Sequence, residues 1–195
     1  MAAMAANAAA ASASDYVLRA AIPADVDVIF RVVCDAYAIE LGNTGQAFKS
    51  ANRFLSIADA AEVVPYTDVL CRSSEDGEVV GCVSVQVFDA GSVDDIANPE
   101  LFAYGRERGW KYGSLGPLAI SPALQGTGVG SLLLRLAEEK AKTSGVQVME
   151  LSVVNWRSDL RPFYEKRGYE FHHSVEFVSP HVTRKSWFNV MRKVL

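Results

Sequence analysis

A chain of 195 residues, half of them hydrophobic and 22% charged, has the balance of an ordinary globule that buries one core. A net charge of -4 gives no basic footprint for nucleic acid, and no apolar run reaches the length of a membrane span. Cys34, Cys71 and Cys82 are scattered in apolar segments without CxxC or metal-ligand spacing, so they read as buried small hydrophobes in a reducing, cytoplasmic setting, with no metal site expected.

Residues 1–14, MAAMAANAAAASAS, lack the positive region of a secretory signal and the arginines of a presequence. They read as a disordered tail before one domain over 15–195. Tyr16 to Ile22 is a strand pattern; after Pro23, Val26, Ile29, Phe30, Val33 and Tyr37 recur at helical spacing. GNTG, Gly42 to Gly45, breaks that helix, and a second amphipathic segment runs from Phe48 through Ala51, Phe54, Leu55 and Ala58. Thr67 to Arg72 and Glu78 to Phe88 are strand runs joined through Asp76-Gly77, a hairpin signal that makes them antiparallel. Asp89 to Lys111 is a long polar connection with room for a short helix after Pro99.

A strand over Ser114 to Ile120 then feeds a helix opened by glycines, followed by a strand over Gln147 to Val154. Asp159 to Arg167 reads as a short helix, with Ser158 as its N-cap and Gly168 as its stop. Tyr169 to Val178 and Phe188 to Val194 are the last strands. Only one strand-helix-strand crossover is clear. The expected fold is therefore mixed α/β, with a largely antiparallel sheet, one parallel pair in its middle, and about four flanking helices.

The crossover carries the most informative stretch, SPALQGTGVGSLLLRLAEEKAKTSG from Ser121 to Gly145. Val129, Leu132, Leu133 and Leu136 form one stripe, Arg135, Glu138, Glu139 and Lys142 are expected in water, and Glu138 to Lys142 is an i,i+4 pair. Gly126, Gly128 and Gly130 stand every second residue where a strand turns into this helix. Glycine is costly inside a helix, so the placement suggests backbone left bare for an anion. A P-loop needs a lysine that is absent here. A dinucleotide fingerprint finds only Gly126 and Gly128 in place, though Glu150 lies at a ribose-contact distance along the chain. A tight turn without ligand is the bland alternative.

Gln125-Gly126-Thr127-Gly128-Val129-Gly130 resembles the Q/R-x-x-G-x-G/A motif of the GNAT superfamily of acyl-CoA-dependent N-acetyltransferases. FYEKRGYEF, Phe163 to Phe171, resembles the helix and strand that follow it there. The likeness is tight over Ser114 to Phe171 and extends by element order to about Asp15 to Leu195. It implies acetyl-CoA as cosubstrate, its diphosphate held by Gln125, Gly126, Thr127, Gly128, Val129, Gly130 and Ser131. Gly116-Pro117 sits mid-strand, where a residue without an N–H marks a bulge. The family has a splayed strand pair at this place, which implies that Leu118, Ala119 and Ile120 offer main-chain partners to the acyl and pantetheine end.

Direct transfer to an amine needs a neutral nucleophile, a polarised carbonyl and a protonated leaving thiolate. The resemblance implies that Tyr164 supplies the last proton, against the plain alternative that it packs a helix on the sheet. The family's cofactor-contacting asparagine is replaced by Arg157, with Asn155 two residues earlier; either is a candidate cofactor contact. The base stays open among Glu150, Glu40, Asp89, Glu176 and a water, and His172, His173 and His181 read as surface residues. Tyr37 and Glu40 are the expected acceptor contacts. The partner is an amine, as small molecule or peptide, and not nucleic acid or membrane; the chain is monomer or homodimer. A non-catalytic acyl-CoA sensor on the same fold is the alternative function.

Overall fold

A computed structural model describes residues 12–38, 54–74, 76–89, 107–178 and 182–195. Its elements are β1 (Tyr16–Ala20), α1 (Val26–Tyr37), α2 (Ile57–Val63), β2 (Thr67–Arg72), β3 (Val79–Phe88), β4 (Tyr112–Ile120), α3 (Val129–Thr143), β5 (Val148–Val154), α4 (Leu160–Glu165), β6 (Glu170–Phe177) and β7 (Ser186–Val194). The seven strands form one sheet in the order β1-β2-β3-β4-β5-β7-β6. All neighbours are antiparallel except β4 and β5, the pair joined through α3. The mixed sheet, its parallel pair and four helices among the described residues agree with the expected architecture. None of the described helices is long and apolar enough to cross a membrane.

Each face of the sheet has its own core. Val129, Leu133, Leu134 and Ala137 of α3 press onto Leu70, Val83, Leu115, Met149, Leu151 and Met191, and Tyr164 of α4 joins them. On the opposite face Ile29, Val32, Val33 and Ala36 of α1 lie over Val69, Cys71, Cys82 and Ala119. All three cysteines carry free thiols, and burial pushes that of Cys82 up to about 12. Period-3.6 spacing fixed both helices, because each needs one apolar stripe for one face of the sheet.

Several boundaries moved. Of the amphipathic segment expected from Phe48 to Ala58, residues 48–53 lie outside the described residues, and within the described part the helix runs from Ile57 to Val63. Ser56 and Asp59 explain the start: the Asp59 amide donates to Ser56 Oγ at 3.3 Å and the Ser56 amide to Asp59 Oδ2 at 3.0 Å, a reciprocal cap. Residues 39–53, with GNTG, and 90–106, with the helix expected after Pro99, lie outside the described residues. On α3, Glu138 is turned inward to Lys193 of β7, not out to Lys142, and Arg135 to Glu139 is the i,i+4 pair, at 2.7 Å. Helix α4 starts at Leu160 after Asp159, so Ser158 is not its cap; Gly168, at φ +87°, does end the turn beyond it.

Candidate active site

The parallel pair is joined over a short length only. Tyr112, Gly113 and Ser114 lie opposite Val148, Met149 and Glu150, and beyond that rung β4 and β5 part. The cause is in β4. Between Val83 and Val85 its pairing with β3 advances from Leu118 to Leu115, an extra residue at Gly116-Pro117. Proline has no N–H for a ladder, and a bulge turns the strand aside. The expected bulge and splay are both present.

The alternation of β4 decides which main-chain groups face the gap. Ser121 donates to the Val80 carbonyl on β3 at 2.8 Å, so Ala119, two residues back, also directs its main chain to β3. Leu118 and Ile120 then face the open side. The Ile120 carbonyl already accepts from Gln125 Nε2 at 3.3 Å, which ties the glycine turn to the end of the strand.

In that turn Gly126 and Gly128 adopt φ +78° and +93°, a region closed to most side chains. Gly128 is the N-cap of α3. Gly130 differs: its φ is ordinary, and an added Cβ would meet only Ile120 Cγ1 at 3.8 Å. Two of the three glycines thus have a conformational cause, and only Gly130 is explained by bareness alone. The amides of Gln125, Thr127 and Ser131 close local turns at 3.2, 3.4 and 3.0 Å. Those of Gly126, Gly128, Val129 and Gly130 have no acceptor among the described residues. Four amides at the positive end of a four-turn helix make an anion site.

Arg167 completes it, and sequence reasoning missed this residue. It follows α4, stacks its guanidinium 3.6 Å from the centre of the Phe163 ring and donates to Ser131 Oγ in the first turn of α3. A cleft of about 510 Å³ opens there, lined by Gly128, Ser131, Leu132, Leu134, Arg135, Glu138, Arg167 and Lys193, with Lys193 paired to Glu138 and Arg135 to Glu139. The site therefore joins a helix end to the Arg167 guanidinium.

Tyr164 is buried in α4, edge-on to Phe163 at 5.0 Å and to Tyr169 at 5.6 Å. Burial pushes its phenol well above the ordinary value, Tyr37 at the end of α1 pushes the same way, and Arg157 and Arg167 pull it down. Tyr37 thus lies within electrostatic reach of Tyr164. Glu40 lies outside the described residues. Asn155 Oδ1 accepts from the Trp187 amide at 2.9 Å, which extends the β5 and β7 pairing. Arg157 clasps Asp159 at 3.0 and 2.9 Å and holds that carboxyl below the usual range. Both candidate cofactor contacts have partners in the protein.

A model of the acetyltransferase (GNAT) family matches residues 59–169. The aminoalkylphosphonate N-acetyltransferase of Salmonella typhimurium is 28% identical over 156 residues, 80% of this chain and 86% of its own. Among solved structures, Arabidopsis thaliana NAA60 in complex with acetyl-CoA superposes at TM-score 0.68 with 12% identity, covering 92% of this chain and 98% of that one. A polyamine N-acetyltransferase of Drosophila melanogaster gives 0.66 with 14% identity, over 93% and 100%. A glycine turn at a helix end, beside a bulged and parted parallel pair, is thus matched in sequence across more than half of the chain: this protein belongs to the GNAT acetyltransferase family.

Proposed function

We propose that this protein transfers the acetyl group of acetyl-CoA to a primary amine, directly and within one ternary complex. The observation that carries this reading is the continuity of one path. The anion site at Gly126 to Ser131 stands at the end of β4, the parted strands open beside it, and Tyr164 lies buried in the same core as Leu151 and Val153 of β5.

The cosubstrate fits the groups present. A diphosphate needs amides and cations without bulk, and nothing lies within 4 Å of an added Cβ at Gly126. The Gly126, Gly128, Val129 and Gly130 amides would meet it, with Arg167 and Ser131 beside them; Gln125 and Thr127 hold the turn. The main chain of Leu118 and Ile120 would pair with the pantetheine arm as an added strand does, and their amides are the donors for charge growing on the thioester oxygen. Bound there, acetyl-CoA supplies an activated acyl carbon.

The phenol of Tyr164, kept protonated by burial, donates to the departing sulfur. Transfer from a phenol of higher pKa to a thiolate of pKa about 8.5 runs uphill, so it is drawn forward by the proton that nitrogen returns to the phenolate as the amide forms. Tyr37 and Glu40 would face the acceptor. The test is release of free thiol from acetyl-CoA with 2-aminoethylphosphonate, a polyamine and an N-terminal peptide, in turn. Thiol release that depends on one of these amines is expected. Binding of acetyl-CoA with no release to any amine would instead make the protein a sensor.

A further inference from the structure

A line of polar residues crosses the sheet where it splits. Gln86 is opposite Ser114, Ser114 opposite Glu150, Glu150 opposite Arg192, and Arg192 opposite Glu170. Residues directly opposed in a sheet share a face, so one from each of five strands points to the same side. It is the side on which α1 packs: Met149, Leu151 and Met191, the chain neighbours of Glu150 and Arg192, point to the α3 side. Glu150 occupies the last rung that joins β4 to β5. Two residues further along the same face of β5, Ser152 is exposed in the open part of the gap.

Glu150 is 3% exposed, and the groups about it are specific. Arg192 Nε of β7 donates to its Oε2, and the Tyr112 phenol of β4 hydrogen-bonds it. From β6, Glu170 and His172 face Arg192. Burial outweighs both donors and raises the carboxyl to about 7. The other carboxylates open as bases are placed otherwise: Asp89 is exposed beside Lys111 at 3.4 Å, Glu176 is exposed beside Lys185 at 3.6 Å, and Glu40 lies outside the described residues. His172 and His173 are spent on each other, Nδ1 to Nδ1 at 2.7 Å.

We propose that Glu150 is the proton acceptor of this site, taking through water in the gap the proton that the acceptor ammonium sheds before attack. The proposal rests on the transferase reading above. One ammonium proton goes to the Glu150 carboxylate and from there to solvent, which leaves a neutral amine. As the carbon–nitrogen bond forms and the carbon–sulfur bond breaks, Tyr164 gives its proton to sulfur and regains the one that nitrogen loses. Each turnover releases one proton.

The experiment follows thiol release from acetyl-CoA and 2-aminoethylphosphonate from about pH 6 to pH 9.5. Wild-type kcat/KM is expected to rise along an acid limb near pH 7. In Glu150→Gln that limb vanishes and activity at pH 7 falls about a hundredfold, the loss shrinking toward alkaline pH where the amine ionises unaided. Calorimetry should find coenzyme A bound as before. Tyr112→Phe removes a donor from the carboxylate but leaves it in place, so its acid limb should move to higher pH. A Glu150→Gln profile parallel to the wild type, or an unmoved limb in Tyr112→Phe, overturns this proposal alone. Absence of thiol release from the wild type with this amine and every other tried overturns the transferase reading and this proposal together.

Discussion

Tyr164 is held by ring packing on two sides, so Tyr164→Phe keeps its contacts and removes only the hydroxyl. Turnover should fall about a hundredfold or more while coenzyme A affinity stays within a factor of two or so. Because the folded phenol is raised above its ordinary value, the neutral, proton-bearing form persists to about pH 10. Ionisation of Tyr164 should therefore add no alkaline decline below that pH, which a rate profile checks directly. The tyrosine was legible because FYEKRGY is a compact motif with one phenol in its helix. Arg167, in the same motif, was not. Its partner Ser131 is 36 residues away, and only the packing of the turn after α4 against the start of α3 brings them together. Glu138 failed for the same reason: i,i+4 spacing offered Lys142, but β7 delivers Lys193 to the inner side of the helix.

At the level of elements, the bulge in β4 was readable because it follows from what proline lacks, and the hairpin from Asp76-Gly77, where Gly77 takes φ +54°. The cap that opens α2 went unread: Ser56-Ile57-Ala58-Asp59 carries the signature, but the apolar repeat running on from Phe48 outweighed it in the sequence. The pairing of β3 with β4 sets the position of Leu118 and Ile120, and it depends on a glycine that sequence reasoning passed over. An added Cβ at Gly81 would stand 2.6 Å from Ile120 Cδ1 and 2.9 Å from the Ala119 carbonyl oxygen. The carbonyl cannot turn aside as a side chain can. Gly81→Ala should cost about 1–3 kcal/mol, lower the melting temperature by roughly 2–10 °C, and weaken coenzyme A by shifting the strand that leads to its turn. A thermal melt and a titration of the same sample measure both; equal values for wild type and variant would show that β3 does not set this strand.

Across the whole molecule, the mixed sheet and its one parallel pair followed from pattern, whereas the strand order and the buried charge did not. Glu150 looked like one carboxylate in a strand, and nothing local announced Arg192, 42 residues on, as its partner. The pair makes stability depend on pH in a distinctive direction. The unfolded chain loses the Glu150 proton near 4.5 and the folded chain near 7, so the folded state holds more protons between these values. This contribution is fully present below about pH 4.5 and is lost as pH rises through 7. Asp25 and Asp159, whose carboxyls are held down by Arg19 and Arg157, act oppositely and only below the ordinary carboxylate range. Wild-type melting temperature should thus fall from about pH 5 to pH 7, and Glu150→Gln should remove that slope.

Amides at the start of α3 that grip a diphosphate are the core of the proposed function, and Gly130 allows that grip to be tested without disturbing the fold. Its φ is ordinary, its neighbour leaves room for a Cβ, and an acid in the first turn favours the helix by about 0.3–1 kcal/mol. Calorimetric titration of coenzyme A into wild type and Gly130→Asp, with a melt of each, should find binding to the wild type and a loss of about a hundredfold or more in a variant of equal or higher melting temperature. Equal affinity in the two proteins would contradict the account.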